Sequence, residues 1–295
     1  MFGLYFGYYL MEKNKISQSQ FKDLIANLAK SRAKLGFIAI TENLLTIKQA
    51  EEINEIQKRM DKRFGDVAIE KGYLLEEEVK HLLNMQGNAY LLFLQLLTEG
   101  GYLTMEDIKE AIEDFQKEYQ LSDAELDALK SGDIDQIIPI FVDMDLPLFG
   151  EFASLAIRNI IRFINSNIIL KKAYRINSYP FRALASQKME GNPGLFVGIA
   201  GKDAALLSIA KPFAREEFET LDEDAFDSVC EFLNCTNGIY ASKLSQEDID
   251  LEMTPPIYYT DQCIASEDDL YIIPFLINGE QADIIIAMNN RIGIK

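Results

Sequence analysis

Histidine, cysteine, tryptophan and positive charge are all scarce in this chain. There is one histidine, His81, in 295 residues. It excludes any catalytic triad or His-rich metal site built within one chain unless it takes part itself, and its place between Lys80 and Leu82 reads as helix surface or packing. The three cysteines, Cys230, Cys235 and Cys263, have no metal spacing and leave an odd count. A disulfide framework is therefore not expected, and a reducing cytoplasm is. Cys230 and Cys235 are expected to be small buried hydrophobes on a helix. Lys and Arg number 29 against 47 Asp and Glu, for a net charge of −18. That balance excludes general nucleic-acid binding and attraction to anionic membranes. No apolar run approaches ~18 residues, so no membrane span is expected. The apolar opening MFGLYFGYYLMEK lacks a basic region and a small-residue cleavage site, and is not read as a signal peptide. What remains is the composition of a soluble globular protein, 48% hydrophobic and 26% charged, with room for two domains.

The first half repeats itself. Segments beginning at Tyr5, Lys34, Arg63 and Leu92 share one pattern, each 29 residues after the last. A fixed period of this kind marks a repeat architecture. Each unit opens with a short apolar helix. A turn residue follows (Asn14, Asn43, Gly72 or Gly101), of a type that tolerates positive φ. Then come an aliphatic residue and a helix N-cap, Ser17, Thr46 or Thr104, with Leu75 the exception. Gln20 and Gln49 stand three residues after their caps, as a capping box requires. A longer amphipathic helix completes each unit. The expectation is an all-α domain over residues 1–120, made of four stacked helical hairpins that cover one another's apolar faces.

The two middle units carry more. They run from Lys34 to Gln57 and from Arg63 to Gln86, 24 residues each, with Lys58–Lys62 between them. This layout resembles the MshEN domains of secretion-type ATPases, which bind cyclic di-GMP through two tandem motifs of this length. The resemblance implies candidate ligand residues at Lys34, Leu35, Gly36 and Gln57, then Arg63, Gly65 and Gln86. Lys30, Arg32, Lys34, Lys58, Arg59, Lys62 and Arg63 cluster around these motif starts, a basic patch in an acidic chain suited to a small dianion. The sequence departs from the family pattern at Lys34 (for Arg), Phe64 (for Leu), and Ala39 and Ala68 (for Leu). In the outer units Leu28 replaces the glutamine and Leu94 the glycine. Two readings stay open: a cyclic di-GMP site, or a protein-docking repeat whose glycines only permit tight helix packing.

Residues 121–145 read as a connector, with a short acidic helix capped by Ser122 and ended by Gly132, and a domain boundary near Asp145. The second domain, 146–295, is expected to be α+β. Phe149–Asn165 and Lys202–Phe213 read as helices. Strands are expected at 168–176, 181–189, 195–199, 270–276 and 282–288, the last two joined at Asn278-Gly279. Pro274 cannot donate to a ladder, so its strand should lie at an edge or carry a bulge. Thr260–Asp269 reads as an acidic loop.

Between them lies LDEDAFDSVCEFLNCTNGIYASKL, Leu221–Leu244. Ala225, Phe226, Val229, Phe232, Leu233, Ile239 and Leu244 recur at helical intervals and predict a buried face. Glu231 and Asn234 fall on the opposite face, three apart, with Cβ atoms about 5–6 Å from each other. A carboxylate beside a neutral amide can dock a cation and orient a water molecule. The plainer alternative is a solvated Glu and Asn on an exposed face.

The order of elements, the ExxN pair Glu231 and Asn234, Gly238 after it and Pro255-Pro256 downstream resemble the CheX branch of the CheC/CheX/FliY chemotaxis phosphatases, over roughly Phe149 to Met288. The resemblance implies a CheX-type layered domain, an antiparallel sheet with long helices on one face. It also implies hydrolysis of the aspartyl-phosphate of a CheY-like response regulator, with Glu231 and Asn234 as catalytic residues. Mg²⁺ would be supplied by the regulator, and the chain would need no cofactor of its own. A homodimer is expected. Ile239 stands where the family often has Asn. The alternatives are a catalytically silent docking module, a cyclic di-GMP-binding adaptor, or a structural protein whose halves are interaction surfaces.

Overall fold

Four backbone reversals punctuate the first part of the computed structural model. Asn14, Asn43, Gly72 and Gly101 take φ of 55°, 56°, 69° and 66°, the left-handed conformation that ends a helix at little cost for Gly and Asn. The structure describes residues 2–28, 30–144, 147–288 and 292–295. These fall into two units, Met1–Asp133 and Ile134–Lys295.

The first unit comprises α1 (Phe2–Glu12), α2 (Gln18–Leu28), α3 (Leu35–Thr41), α4 (Ile47–Met60), α5 (Phe64–Glu70), α6 (Glu76–Met85), α7 (Ala89–Glu99), α8 (Met105–Glu118) and α9 (Asp123–Ser131). The caps work as their residue types require. The Ser17 and Thr46 hydroxyls accept from the amides of Gln20 and Gln49, whose side chains accept from the cap amides in return. Thr104 pairs with Asp107 in the same way. Leu75 has no hydroxyl, and only the return bond from its amide to Glu78 forms, at 2.7 Å. The apolar N-terminal segment is helix α1, whose Phe2, Phe6 and Tyr9 pack against Tyr90, Phe93 and Phe115. A second cluster around Ile38, Ile53, Phe64, Val67 and Leu82 joins α3 to α6.

The segment expected as a connector holds α9 and α10 (Ile134–Phe141), one in each unit. Ser122 and Gly132 bound α9 as their types predict: Ser122 exchanges bonds with Glu125, and Gly132 has φ 74°. The boundary expected near Asp145 lies outside the described residues.

The second unit continues with α11 (Pro147–Asn159), a π-helical turn (Ile160–Ile164), β1 (Ile168–Leu170), β2 (Tyr174–Gly191) and β3 (Leu195–Gly201). After these come α12 (Asp203–Ala214), α13 (Glu223–Ser245), β4 (Leu251–Met253), β5 (Ile257–Ile277), β6 (Glu280–Met288) and β7 (Ile292–Ile294). The seven strands form one antiparallel sheet in the order β1-β5-β6-β3-β2-β4, with β7 on β5. An additional β5–β2 pairing closes the path β5-β6-β3-β2 on itself. Phe181, Leu184, Phe196, Ile264, Leu270, Ile272 and Ile285 from these four strands pack into one cluster. Helices α12 and α13 pack on each other and on the sheet. Asn278 and Gly279, at φ 53° and 86°, make the tight β5–β6 turn.

One expectation is corrected. Thr260–Asp269 is not a loop: it lies within β5, where Thr260–Ala265 pair with β2 and Ile264–Ser266 with β7. The acidic residues mislead because a strand with one solvated face tolerates them. Pro274 is not at an edge, but its strand does carry an irregularity: the register of β5 against β2 shifts between Ala265 and Leu270. Pro274 pairs with Asp283 of β6, and its carbonyl accepts from the Lys171 amide. Its missing N–H therefore faces 171–173, the gap between β1 and β2 where β5 changes partner, so no ladder bond is forfeited. The same gap splits the strand expected at 168–176.

Candidate functional site

Helix α13 is anchored before it is decorated. The Asp222 carboxylate caps it, accepting from the Ala225 amide at 3.1 Å, and Glu223 and Asp224 follow in the first turn, at the positive end of the dipole. Ala225, Phe226, Val229, Phe232, Leu233, Tyr240 and Leu244 are buried. Ile239, expected on that face, is 49% exposed. It lies about 100° per residue from its neighbours, and Thr236 and Asn237 take the buried places instead. Cys235 is exposed as well, which corrects the expectation of burial, while Cys230 is buried. Burial pushes the Cys230 thiol up to about 11. Burial, then the adjoining Glu231, hold Cys235 above the usual thiol range. Neither is a thiolate nucleophile at neutral pH.

Glu231 is exposed and Asn234 half-buried beside it. The Asn234 amide nitrogen donates to Glu231 Oε2 at 3.3 Å, and the Cys235 thiol to Glu231 Oε1 at 3.4 Å. Beneath them a strand reaches up. Gln187 of β2 is 2% exposed, and its Nε2 donates both to Asn234 Oδ1 at 2.8 Å and to the Thr254 carbonyl at 2.7 Å. Gln187 Oε1 accepts from the fully buried Asn237 at 2.7 Å. One turn of helix thus presents a carboxylate and an amide outward on a hydrogen-bonded base. Around them stand exposed apolar side chains: Ile239, Met253, Ile257 and Tyr258, the last stacked on Phe226 at 4.3 Å.

Sequence reasoning placed Glu231 and Asn234 side by side on one helix face and missed Gln187, Asn237 and Thr254 beneath them. A faint signal exists. Gln187 is the one polar residue in the alternating row Ala183, Ala185, Gln187, Met189, and Thr254 directly precedes Pro255-Pro256.

In the first unit, five of the seven ligand candidates line one cavity of about 970 Å³: Lys34, Leu35, Gly36, Gln57 and Gln86. Arg63 and Gly65 do not line it. Several candidates already have partners. The Lys34 ammonium meets Glu99 at 2.7 Å, and the Gln86 amide donates to the Ala33 carbonyl at 3.0 Å. Part of the expected basic cluster is also paired, with Lys58 and Arg59 sharing Glu55 and Lys62 on Glu70. Gln95, buried and missed in the sequence, accepts from the Lys34 backbone amide at 2.7 Å.

Among the described residues, no three His, Cys, Asp or Glu side chains gather as a metal site, and no helix is long and apolar enough to cross a membrane. No curated protein matches the chain. Among solved structures, the chain is similar to a CheC-like superfamily protein from Shewanella sp. PV-4, at 20% identity over 50% of this chain and 97% of that one, with a TM-score of 0.43. It is similar to the chemotaxis protein CheX from Desulfovibrio desulfuricans at 15% identity, over 48% and 99%, with a TM-score of 0.42. The CheX–CheY–BeF3–Mg²⁺ complex from Borrelia burgdorferi aligns at 17% identity, over 46% and 94%, with a TM-score of 0.35. Residues 183–276, which include Glu231, Asn234 and the Gln187 base, match the family model of the chemotaxis phosphatase CheX.

Proposed function

We propose that the second unit hydrolyses the aspartyl-phosphate of a CheY-type response regulator. The observation that carries this reading is the outward pair Glu231–Asn234, held on a buried amide base inside the segment that matches the CheX model. The regulator supplies the phosphorylated aspartate and Mg²⁺. Glu231 meets a cation of the partner, by family likeness its active-site lysine. Asn234 spends one N–H on Glu231, and the other is available to a water in line with the P–O bond. Phosphoryl transfer passes through a loose transition state, so alignment of water and placement of charge carry most of the rate. No nucleophile or histidine is required, which suits a chain whose exposed thiol is held protonated. The exposed apolar residues around the pair are the docking rim, since apolar area beside a polar centre is what a transient protein interface uses. A homodimer in the cytoplasm belongs to the same proposal.

The first unit is read as four stacked helical hairpins of MshEN type, with cyclic di-GMP in the cavity at Lys34–Gly36. The cavity favours this over a purely packing role for Gly36. Arg63, which is exposed, and Gly65, which packs against Val79, lie outside it.

The test is phosphate release from a CheY-type regulator phosphorylated with acetyl phosphate. The wild-type chain should accelerate release, and Asn234→Ala should abolish the acceleration while circular dichroism stays unchanged. Equal rates for the two proteins would remove Asn234 from the mechanism.

A further inference from the structure

Resting on the phosphatase reading, we infer that Gln187 is a positioning residue which sets the end of the Asn234 amide that faces the partner. The two ends of a side-chain amide are told apart by what they touch. The reference point is a backbone carbonyl, which can only accept. Gln187 lies 2.7 Å from the Thr254 oxygen, so that end of its amide must be Nε2. The same nitrogen stands 2.8 Å from Asn234, so the Asn234 atom facing it must be Oδ1. Asn234 Nδ2 is then turned to Glu231, a carboxylate that accepts. On the far side, Gln187 Oε1 is left for the Asn237 amide, which donates to it at 2.7 Å. Every contact agrees with one orientation and opposes the flipped one.

The reference point is itself fixed. Thr254 precedes Pro255, and the proline ring restricts it to extended backbone. Its amide donates to the Lys188 carbonyl at 3.0 Å, tying it to the strand that carries Gln187. The chain of control therefore runs from Pro255 through the Thr254 carbonyl and Gln187 to Asn234. Its consequence is that Asn234 acts outward as a donor, with its oxygen committed inward. Without Gln187, only the 3.3 Å contact with Glu231 holds the Asn234 amide in that orientation, and the group loses its inward anchor and is free to swing away.

The proposal is tested in the full-length chain with two substitutions. Gln187→Leu keeps the bulk and removes the donor. It should lower kcat for phosphate release from an acetyl phosphate-labelled CheY-type regulator by about 100-fold, the order that misplacement of an aligned group costs, with KM unchanged. Gln187→Glu places a buried carboxyl against two carbonyl oxygens, and in its ionised form it has no hydrogen to give. Its activity should rise as pH falls and the introduced carboxyl takes up a proton, whereas wild-type and Gln187→Leu show no such rise. Wild-type kcat in Gln187→Leu, or a pH profile of Gln187→Glu parallel to wild type, would overturn the assignment. If the wild-type chain releases no phosphate, the phosphatase reading fails, and positioning is decided by NMR instead. The Asn234 side-chain NH₂ resonances, identified by their loss in Asn234→Ala, should move in Gln187→Leu. Unmoved resonances would sink the proposal without reference to activity.

Discussion

Asp283 shows how much one side chain can owe to its surroundings. It sits on β6 on the same face as Ile285, 3% exposed, and accepts from the Tyr179 hydroxyl at 2.5 Å and the Gln281 amide at 3.0 Å. Burial raises its pKa, and the two hydrogen bonds and Lys171 only partly oppose this. A carboxyl whose folded pKa lies above its unfolded value binds more protons in the native state, so stability falls as pH rises through that interval. Asp283→Asn should therefore raise the melting temperature at neutral pH. The gap to wild type should close as pH falls toward the carboxylate range, as thermal melts across pH would show. A gap that widens on acidification would reverse the assignment. Nothing in the sequence flags this residue, because ADIII reads as ordinary strand. The same holds for Gln187. A glutamine has no periodic signature, and its role exists only once β2 passes under α13. Glu231 and Asn234 were legible because their geometry is local: three residues of helix decide it.

Helices α3 and α5 start with the same Leu/Phe-Gly pattern, yet their glycines meet different neighbours. A Cβ on Gly65 would lie 2.6 Å from Val79 Cγ1, a β-branched side chain with little freedom to turn. On Gly36 the nearest atom is the ring edge of Phe64 at 3.0 Å, beside open cavity. Gly65→Ala should cost about 1–3 kcal/mol, as overpacking does, and Gly36→Ala less, read from urea unfolding of each variant. Equal losses would remove the distinction between the packing glycine and the cavity glycine. At the same scale, the caps and turns of α1–α9 were legible, since Ser17, Thr46, Thr104, Asn14 and Gly72 act within four residues of themselves. Strand β5 was not. Its 21 residues change partner from β2 to β1 along one edge and from β7 to β6 along the other, and no pattern within the segment records which neighbour each stretch will find.

The whole chain joins an all-helical unit to an antiparallel α+β unit, and the proposed activities divide accordingly. If cyclic di-GMP occupies the Lys34–Gly36 cavity, isothermal titration should show heat at micromolar nucleotide, and Gln57→Ala, which removes a polar side chain lining the cavity, should weaken it. No heat in the wild-type chain would leave the docking-repeat reading in its place. Phosphate release measured with and without the nucleotide should then differ if the units communicate, and an unchanged rate would make them independent. The sequence alone determined what short-range chemistry determines: the 29-residue rhythm, the caps, the helix bearing Glu231 and Asn234, and the weak prospect of nucleic-acid binding that follows from net charge. The tertiary structure decided which side chains meet across long separations. It put Gln187 beneath Asn234, buried Asp283, set Pro274 where β5 changes partner, and gathered Lys34, Gln57 and Gln86 around one cavity while leaving Arg63 outside it. The physical reason is range. A helix turn or cap is settled by neighbours within a few residues, but a hydrogen bond between residues 47 apart is settled only when the sheet has chosen its register.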